Sequence, residues 1–143
     1  WVFRLSVDDY HRISMSTVAG KSVRRRIPGV LHTVNPAAND VYPIYKENTR
    51  EYSLMKSEHF GTLLMMEVGA LMVGKIENHP VCDHVDRGQE KGNFAFGGST
   101  IIYMTQKGCV VPDQDLLTNS QEGVETKVQI GSKIGSAPFM EKG

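Results

Sequence analysis

Two short segments hold residue types that could do covalent or proton-transfer chemistry. The first is DDYHR, Asp8 to Arg12, where a histidine stands beside an acidic pair and a basic residue. Imidazole in such a setting exchanges protons near neutral pH. The plainer alternative is an exposed His11 at a strand-to-turn junction. The second segment is GGST, Gly97 to Thr100, set directly against the apolar run IIYM. As a phosphate-cradling loop it fails, because a β-branched strand follows it rather than a helix N-terminus. As a nucleophile elbow it lacks the G-x-S-x-G spacing. A glycine-rich turn entering a strand is the plain reading.

A fourth reading of GGST makes the backbone the substrate. A serine hydroxyl can attack the carbonyl before it when the peptide is strained and a base is near. Attack of Ser99 on the Gly98 carbonyl exchanges the amide for an ester. Loss of the Ser99 Cα proton then expels the Gly98 carboxylate and leaves dehydroalanine. Hydrolysis of its imine tautomer releases ammonia and leaves a pyruvoyl group. Such a ketone is an electron sink, able to form a Schiff base with an amine and to stabilise the carbanion left when carbon dioxide departs.

Other candidates are weaker. Asn35, Asn48 and Arg50 flank apolar strands as possible substrate-binding groups, and ordinary turn chemistry explains them equally. Arg24 to Arg26 read as a solvated loop or a local anion site. HPVCDH, residues 79–84, places His79, Cys82 and His84 close together but offers no fourth ligand at usable spacing, so no metal is expected. With 16 basic and 16 acidic residues the formal charge is zero, which argues against nucleic acid as a partner. Cys82 and Cys109 are too few for a disulfide framework and read as reduced thiols.

The elements that must position these groups read as β-rich, a mainly β (α+β) fold with few short helices. At 143 residues and 40% hydrophobic composition, one domain with one modest core is expected. Strands are predicted over residues 2–7, 29–34, 50–56, 62–68, 70–76, 99–105 and 124–130, with 62–68 and 70–76 as the central pair. A helical turn is expected within 36–48, and a short helix over 113–121. TLLMMEVGALMV, residues 62–73, contains Glu67 and is too short to cross a bilayer, so it reads as core. The start on Trp1, without a signal-peptide pattern, suggests a piece of something longer.

Taken together, FRLSVDDYHR (3–12), IPGVLHTVNPAA (27–38), ENTREY (47–52), FGTLLMMEVGALMVGKI (60–76), VDRGQEKGNFAFGGST (85–100) and DLLTNSQEGVETKVQIGSKIG (115–135) resemble the pyruvoyl-dependent phosphatidylserine decarboxylases in order and over almost the whole chain. The resemblance implies self-cleavage between Gly98 and Ser99, giving a β chain 1–98 and an α chain 99–143 within one catalytic domain, 1–143. Ser99 would become the pyruvoyl group that holds the substrate amine. His11 would transfer a proton in decarboxylation. The region 85–100 would resemble a barrel-sandwich hybrid.

The same resemblance implies conversion of phosphatidylserine to phosphatidylethanolamine and carbon dioxide. The molecule would be a homodimer, peripheral to a membrane, on the cytoplasmic face of a bacterial cell. One departure stands out: many members carry a second histidine three residues after the first, where this chain has Ser14. A pyruvoyl enzyme acting on a soluble amino acid, and a homologue that does not process itself, are the alternatives.

Overall fold

A computed structural model of the chain describes residues 1–33, 35–39, 41–43, 46–71, 75–80, 83–95 and 99–138. Period-two burial defines its central hairpin. In β4 (Arg50–Ser57) Ser53, Met55 and Ser57 are buried, while Leu54 and Lys56 are exposed. In β5 (Gly61–Val68) Leu63, Met65 and Glu67 are buried on the same side, as expected where one face of a sheet is covered. The two strands pair from Arg50↔Val68 to Ser57↔Gly61, and Gly61 closes the turn at φ +67°, a conformation that side-chain-bearing residues disfavour.

Four strands extend the hairpin. They are β9 (Ser99–Thr105), β1 (Val2–Leu5), β3 (Ala19–Ile27) and β7 (His84–Val85), in the six-stranded order β1-β9-β5-β4-β3-β7. Every pairing is antiparallel. A three-stranded sheet holds β2 (Arg12–Ser14), β8 (Glu90–Phe94) and β6 (Ile76–Asn78), in the order β2-β8-β6. A small pair, β10 (Val111–Pro112) with β11 (Gly135–Ser136), and two helices, α1 (Pro36–Asn39) and α2 (Gln114–Gln121), complete the described elements.

The core lies between the two larger sheets. Ile13, Met15 and Phe94 from the smaller one meet Ala19, Met55, Leu63 and Met65 from the larger, with Leu5, Ile101 and Tyr103 at its margin. Each such apolar side chain removed from water contributes roughly 1.5–3 kcal/mol before entropy is counted. The smaller sheet is held at very close approach. A Cβ on Gly92 would overlap the Glu77 carbonyl oxygen and come within 2.7 Å of Asn78 Cα, so only glycine lets β6 and β8 pair here. The opposite face of the larger sheet carries Met104, Leu64, Leu54 and Val23 in register across four strands. Of these, Met104, Leu54 and Val23 are exposed.

The mainly β expectation holds, as do the strands at 50–56, 62–68 and 99–105 and the helix within 113–121. Several expectations need correction. The predicted pairing of 62–68 with 70–76 does not form, because β5 lies between β4 and β9; among the described residues of 70–76 only Ile76 enters a strand, β6. Residues 29–33 make a single bridge, Val30 to Asn48, and residues 124–130 form no strand. The first strand stops at Leu5, where a turn begins. Arg24 to Arg26, expected as a loop, lie inside β3.

Candidate functional site

Ser99 opens β9 opposite Leu5, the last residue of β1. Its side chain is fully buried, and among the described residues Oγ has no hydrogen-bond partner. A buried hydroxyl left unpaired costs about 1–3 kcal/mol, so its retention calls for a reason beyond packing. Gly97 and Gly98, on which the proposed cut depends, lie outside the described residues.

His11 precedes β2. Its Nδ1 lies 2.6 Å from the Asp9 carbonyl oxygen. A carbonyl can only accept, so Nδ1 carries the hydrogen and the neutral ring keeps its lone pair on Nε2. That Nε2 is buried and unpartnered, and the ring meets Phe94 edge to face at 6.3 Å.

Strand pairing brings the two residues to one end of the molecule. The β1–β9 ladder stops at Leu5↔Ser99, and the β2–β8 ladder stops at Arg12↔Asn93, with Phe94 N donating to the His11 carbonyl at 3.0 Å. The end of β1 and the start of β9 therefore close one ladder, and the start of β2 and the end of β8 close the other. Ser99 stands at the first of these ends, and His11 next to the second. Ser14 lies between buried Ile13 and Met15, so alternation along the strand turns its side chain away from the core.

A group that sequence reading did not single out lies deeper. Glu67 and Lys91 are almost fully buried, with Lys91 Nζ donating to Glu67 Oε1 at 2.6 Å. Asn78 serves both: its Nδ2 donates to Glu67 Oε2 at 3.1 Å and its Oδ1 accepts from Lys91 Nζ at 3.0 Å. Asn78 Nδ2 also reaches Glu51 Oε1 at 2.6 Å, and Glu51 pairs with Arg24 at 3.3 Å. Burial pushes the Glu67 carboxyl up and the Lys91 ammonium down, each against the attraction of its partner. The one signal in the sequence was a lone acid in the apolar run TLLMMEV. A charge so placed needs a buried partner.

The remaining candidates are engaged within the chain. Asn48 is fully buried; its Nδ2 donates to His32 O at 2.9 Å and Gly69 O at 2.8 Å, and its Oδ1 accepts from His32 N at 3.0 Å. Arg50 Nη1 donates to the Lys46 and Asn48 carbonyls at 2.7 and 3.1 Å. Asn35 Oδ1 accepts from Ala37 N at 3.0 Å at the start of α1. His79 contacts Glu90 at 3.2 Å and His84 contacts Asp86 at 3.4 Å; Cys82 lies outside the described residues. Tyr103 Oη donates to the Ser14 carbonyl at 3.5 Å, and burial holds the phenol up at about 12.

The model of the phosphatidylserine decarboxylase family matches residues 1–136. The chain belongs to that family. Among its relatives, phosphatidylserine decarboxylase proenzyme 2 of Clostridium acetobutylicum is 46% identical over 134 residues, which is 94% of this chain and 46% of that protein. The phosphatidylserine decarboxylase proenzyme of Clostridium tetani is 44% identical, with the same two coverages. Phosphatidylserine decarboxylase proenzyme 2 of rice is 41% identical over 137 residues, 22% of its length. The chain thus spans about half the length of the clostridial family members. The matched range contains His11, Ser14, Glu67, Lys91 and Ser99 together. Among the described residues, no helix is long and apolar enough to cross a membrane.

Proposed function

We propose that the chain cuts itself between Gly98 and Ser99 and, with residue 99 converted to a pyruvoyl group, decarboxylates phosphatidylserine to phosphatidylethanolamine. The observation that carries this is the buried, unpartnered Ser99 hydroxyl at the head of β9, in a chain of a family whose members are named as proenzymes. An enclosed serine oxygen with no structural bond to lose fits the residue from which a pyruvoyl group is made. That group supplies a ketone that binds the substrate amine and takes up the electron pair released with carbon dioxide.

His11 is the proton carrier. The Asp9 carbonyl fixes its tautomer, so Nε2 can take up a proton and return it to the substrate carbon. The packing of Phe94 against the ring limits its rotation. Asn35, Asn48 and Arg50 are proposed to bound the headgroup side of the site, Asn48 through the backbone it ties down, since its own amide is engaged. The active molecule is proposed to be a homodimer at the cytoplasmic face of a bacterial membrane. The exposed apolar row Met104, Leu54 and Val23 supports a surface that is covered in the assembly.

The test uses vesicles containing phosphatidylserine and, separately, free serine. Carbon dioxide should be released from the vesicles, and His11→Gln should lower the rate by about 100-fold or more while leaving the chain folded. Turnover of free serine alone would overturn the phospholipid assignment.

A further inference from the structure

Self-cleavage needs a group to accept the Ser99 hydroxyl proton, and Ser14 is neither a base nor turned toward the core. The sheet register supplies another candidate. Glu67 pairs directly with Ile101, and Ser99 lies two residues before Ile101 on β9, so alternation puts Ser99 and Glu67 on the same face. They are diagonal neighbours on adjacent strands, a separation of roughly 7–8 Å that long side chains span. Both are fully buried. Glu67 is the titratable residue on β5, and the same-face positions next to Ser99 on β1, Leu5 and Phe3, are apolar.

We propose that Glu67 is the proton acceptor for the Ser99 hydroxyl in self-cleavage, with Lys91 and Asn78 as the positioning residues that hold its carboxylate in place. The proposal rests on the self-cleaving reading above. The Oγ proton passes to Glu67 as Oγ bonds to the Gly98 carbonyl carbon. The bond from that carbon to the Ser99 nitrogen then breaks, and Glu67 returns the proton to the nitrogen, leaving an ester and a free amine. No outside reactant is consumed in this step.

The surroundings suit the role. Two of the carboxylate's acceptor sites are used, one by Lys91 and one by Asn78, which leaves capacity for a hydroxyl. Burial makes this carboxylate more basic than an ordinary glutamate, while the Lys91 ammonium and the Asn78 amide act in the opposite direction. The other charged or titratable groups facing it are Glu51 on β4, Arg24 on β3 through Glu51, and Tyr103 on β9. The phenol of Tyr103, held up at about 12, cannot compete as a base. Buried ion pairs are a poor source of stability compared with apolar packing, so a chemical role also accounts for the presence of this one.

The experiment follows cleavage of the freshly translated full chain by intact mass over time. The wild-type chain should convert to fragments 1–98 and 99–143, and Ser99→Ala should stay whole; a wild-type chain that never cuts would overturn the self-cleaving reading itself. Given wild-type cutting, Glu67→Gln should slow it by about 100-fold or more, and Glu67→Asp should restore part of the rate. Cutting of Glu67→Gln at the wild-type rate, or its loss in His11→Gln alone, would overturn the role of Glu67.

Should Glu67→Gln fail to fold, the wild-type pH profile and Lys91→Arg decide. Cleavage should fall as pH drops through a single ionisation above the ordinary glutamate range. That midpoint should shift in Lys91→Arg, whose altered cation sits against the same carboxylate. A midpoint unmoved by this change would overturn the proposal.

Discussion

Asn48 and Ser99 are equally closed to solvent, yet they sit in opposite kinds of environment. Asn48 has both amide hydrogens and its carbonyl oxygen engaged, joining the 28–33 segment to the end of β5. Ser99 Oγ has no hydrogen-bond partner among the described residues. Buried polar atoms in folded proteins are paired as a rule. The paired asparagine is explained by the fold it holds. The unpaired serine is not, and the contrast marks it as a candidate for chemistry more sharply than burial alone would.

Substitution at Ser99 breaks this contrast most sharply. Ser99→Ala should abolish cleavage, seen as a single 15.9 kDa species by intact mass. Compared with the parent chain before it has cut, it should be as stable in urea or up to about 3 kcal/mol more stable, because it removes an unpaired buried hydroxyl and loses no hydrogen bond. A large drop in stability would mean that the hydroxyl has a structural partner after all.

Next in size is Lys91→Met, which, introduced into the uncut Ser99→Ala chain and compared with it, leaves Glu67 buried without its ammonium and should cost about 3–5 kcal/mol in urea melts. Its pH dependence has a definite sign. Burial raises Glu67 above the ordinary glutamate value, and removing Lys91 raises it further. The folded state then holds its proton more tightly than the unfolded one. Stability is fully present below the unfolded value and is lost as pH rises through the folded one. Relative to the parent, the variant should lose more stability at about pH 8 than at about pH 5. Equal losses at both would show that Glu67 is not the group responding.

Asn48→Ala should destabilise by about 2–4 kcal/mol, through three lost bonds that strip His32 N and the Gly69 carbonyl of their Asn48 partners, while the His32 carbonyl keeps its bond from Leu71 N. Its folded fraction should still cut at the parental rate, measured by mass after separation from unfolded material. A cleavage defect there would erase the distinction between the two sites. Smallest is Arg4→Ala. The Arg4–Glu125 pair is bidentate at 2.8 and 2.6 Å but well exposed, so thermal melts should register less than about 1 kcal/mol.

How far the sequence could be read depended on what else supplied each segment's backbone partners. The β4–β5 hairpin and β9 were legible because their alternation is strong and their ladders are complete. Residues 29–33 have strand-like composition, but side chains take over the role of a ladder: Thr49 Oγ1 accepts from Gly29 N and donates to its carbonyl at 3.0 and 2.7 Å. Residues 124–130 alternate as a strand would, yet Val124 N bonds Asn119 O and Asn119 Nδ2 bonds Thr126 Oγ1, which ties them to the end of α2. The arginine run reads as solvent-facing because its composition hides Glu51, the partner that holds Arg24 against the sheet. In the proposed site, Ser99 and His11 stand out by residue type. Glu67 required the register, since nothing in a linear pattern says which buried acid will stand beside which serine.

β9 lies between β1 and β5, registered to the first through four residue pairs and to the second through six. Once the bond before Ser99 is cut, that central strand belongs to a separate polypeptide whose neighbours on both sides belong to another. Folding before the cut is a first-order event within one chain. Recovery after denaturation becomes a second-order encounter between two chains, slower on dilution and without the connection that first aligned them. Processing of the proposed kind would turn a fold that can be revisited into one that is built once.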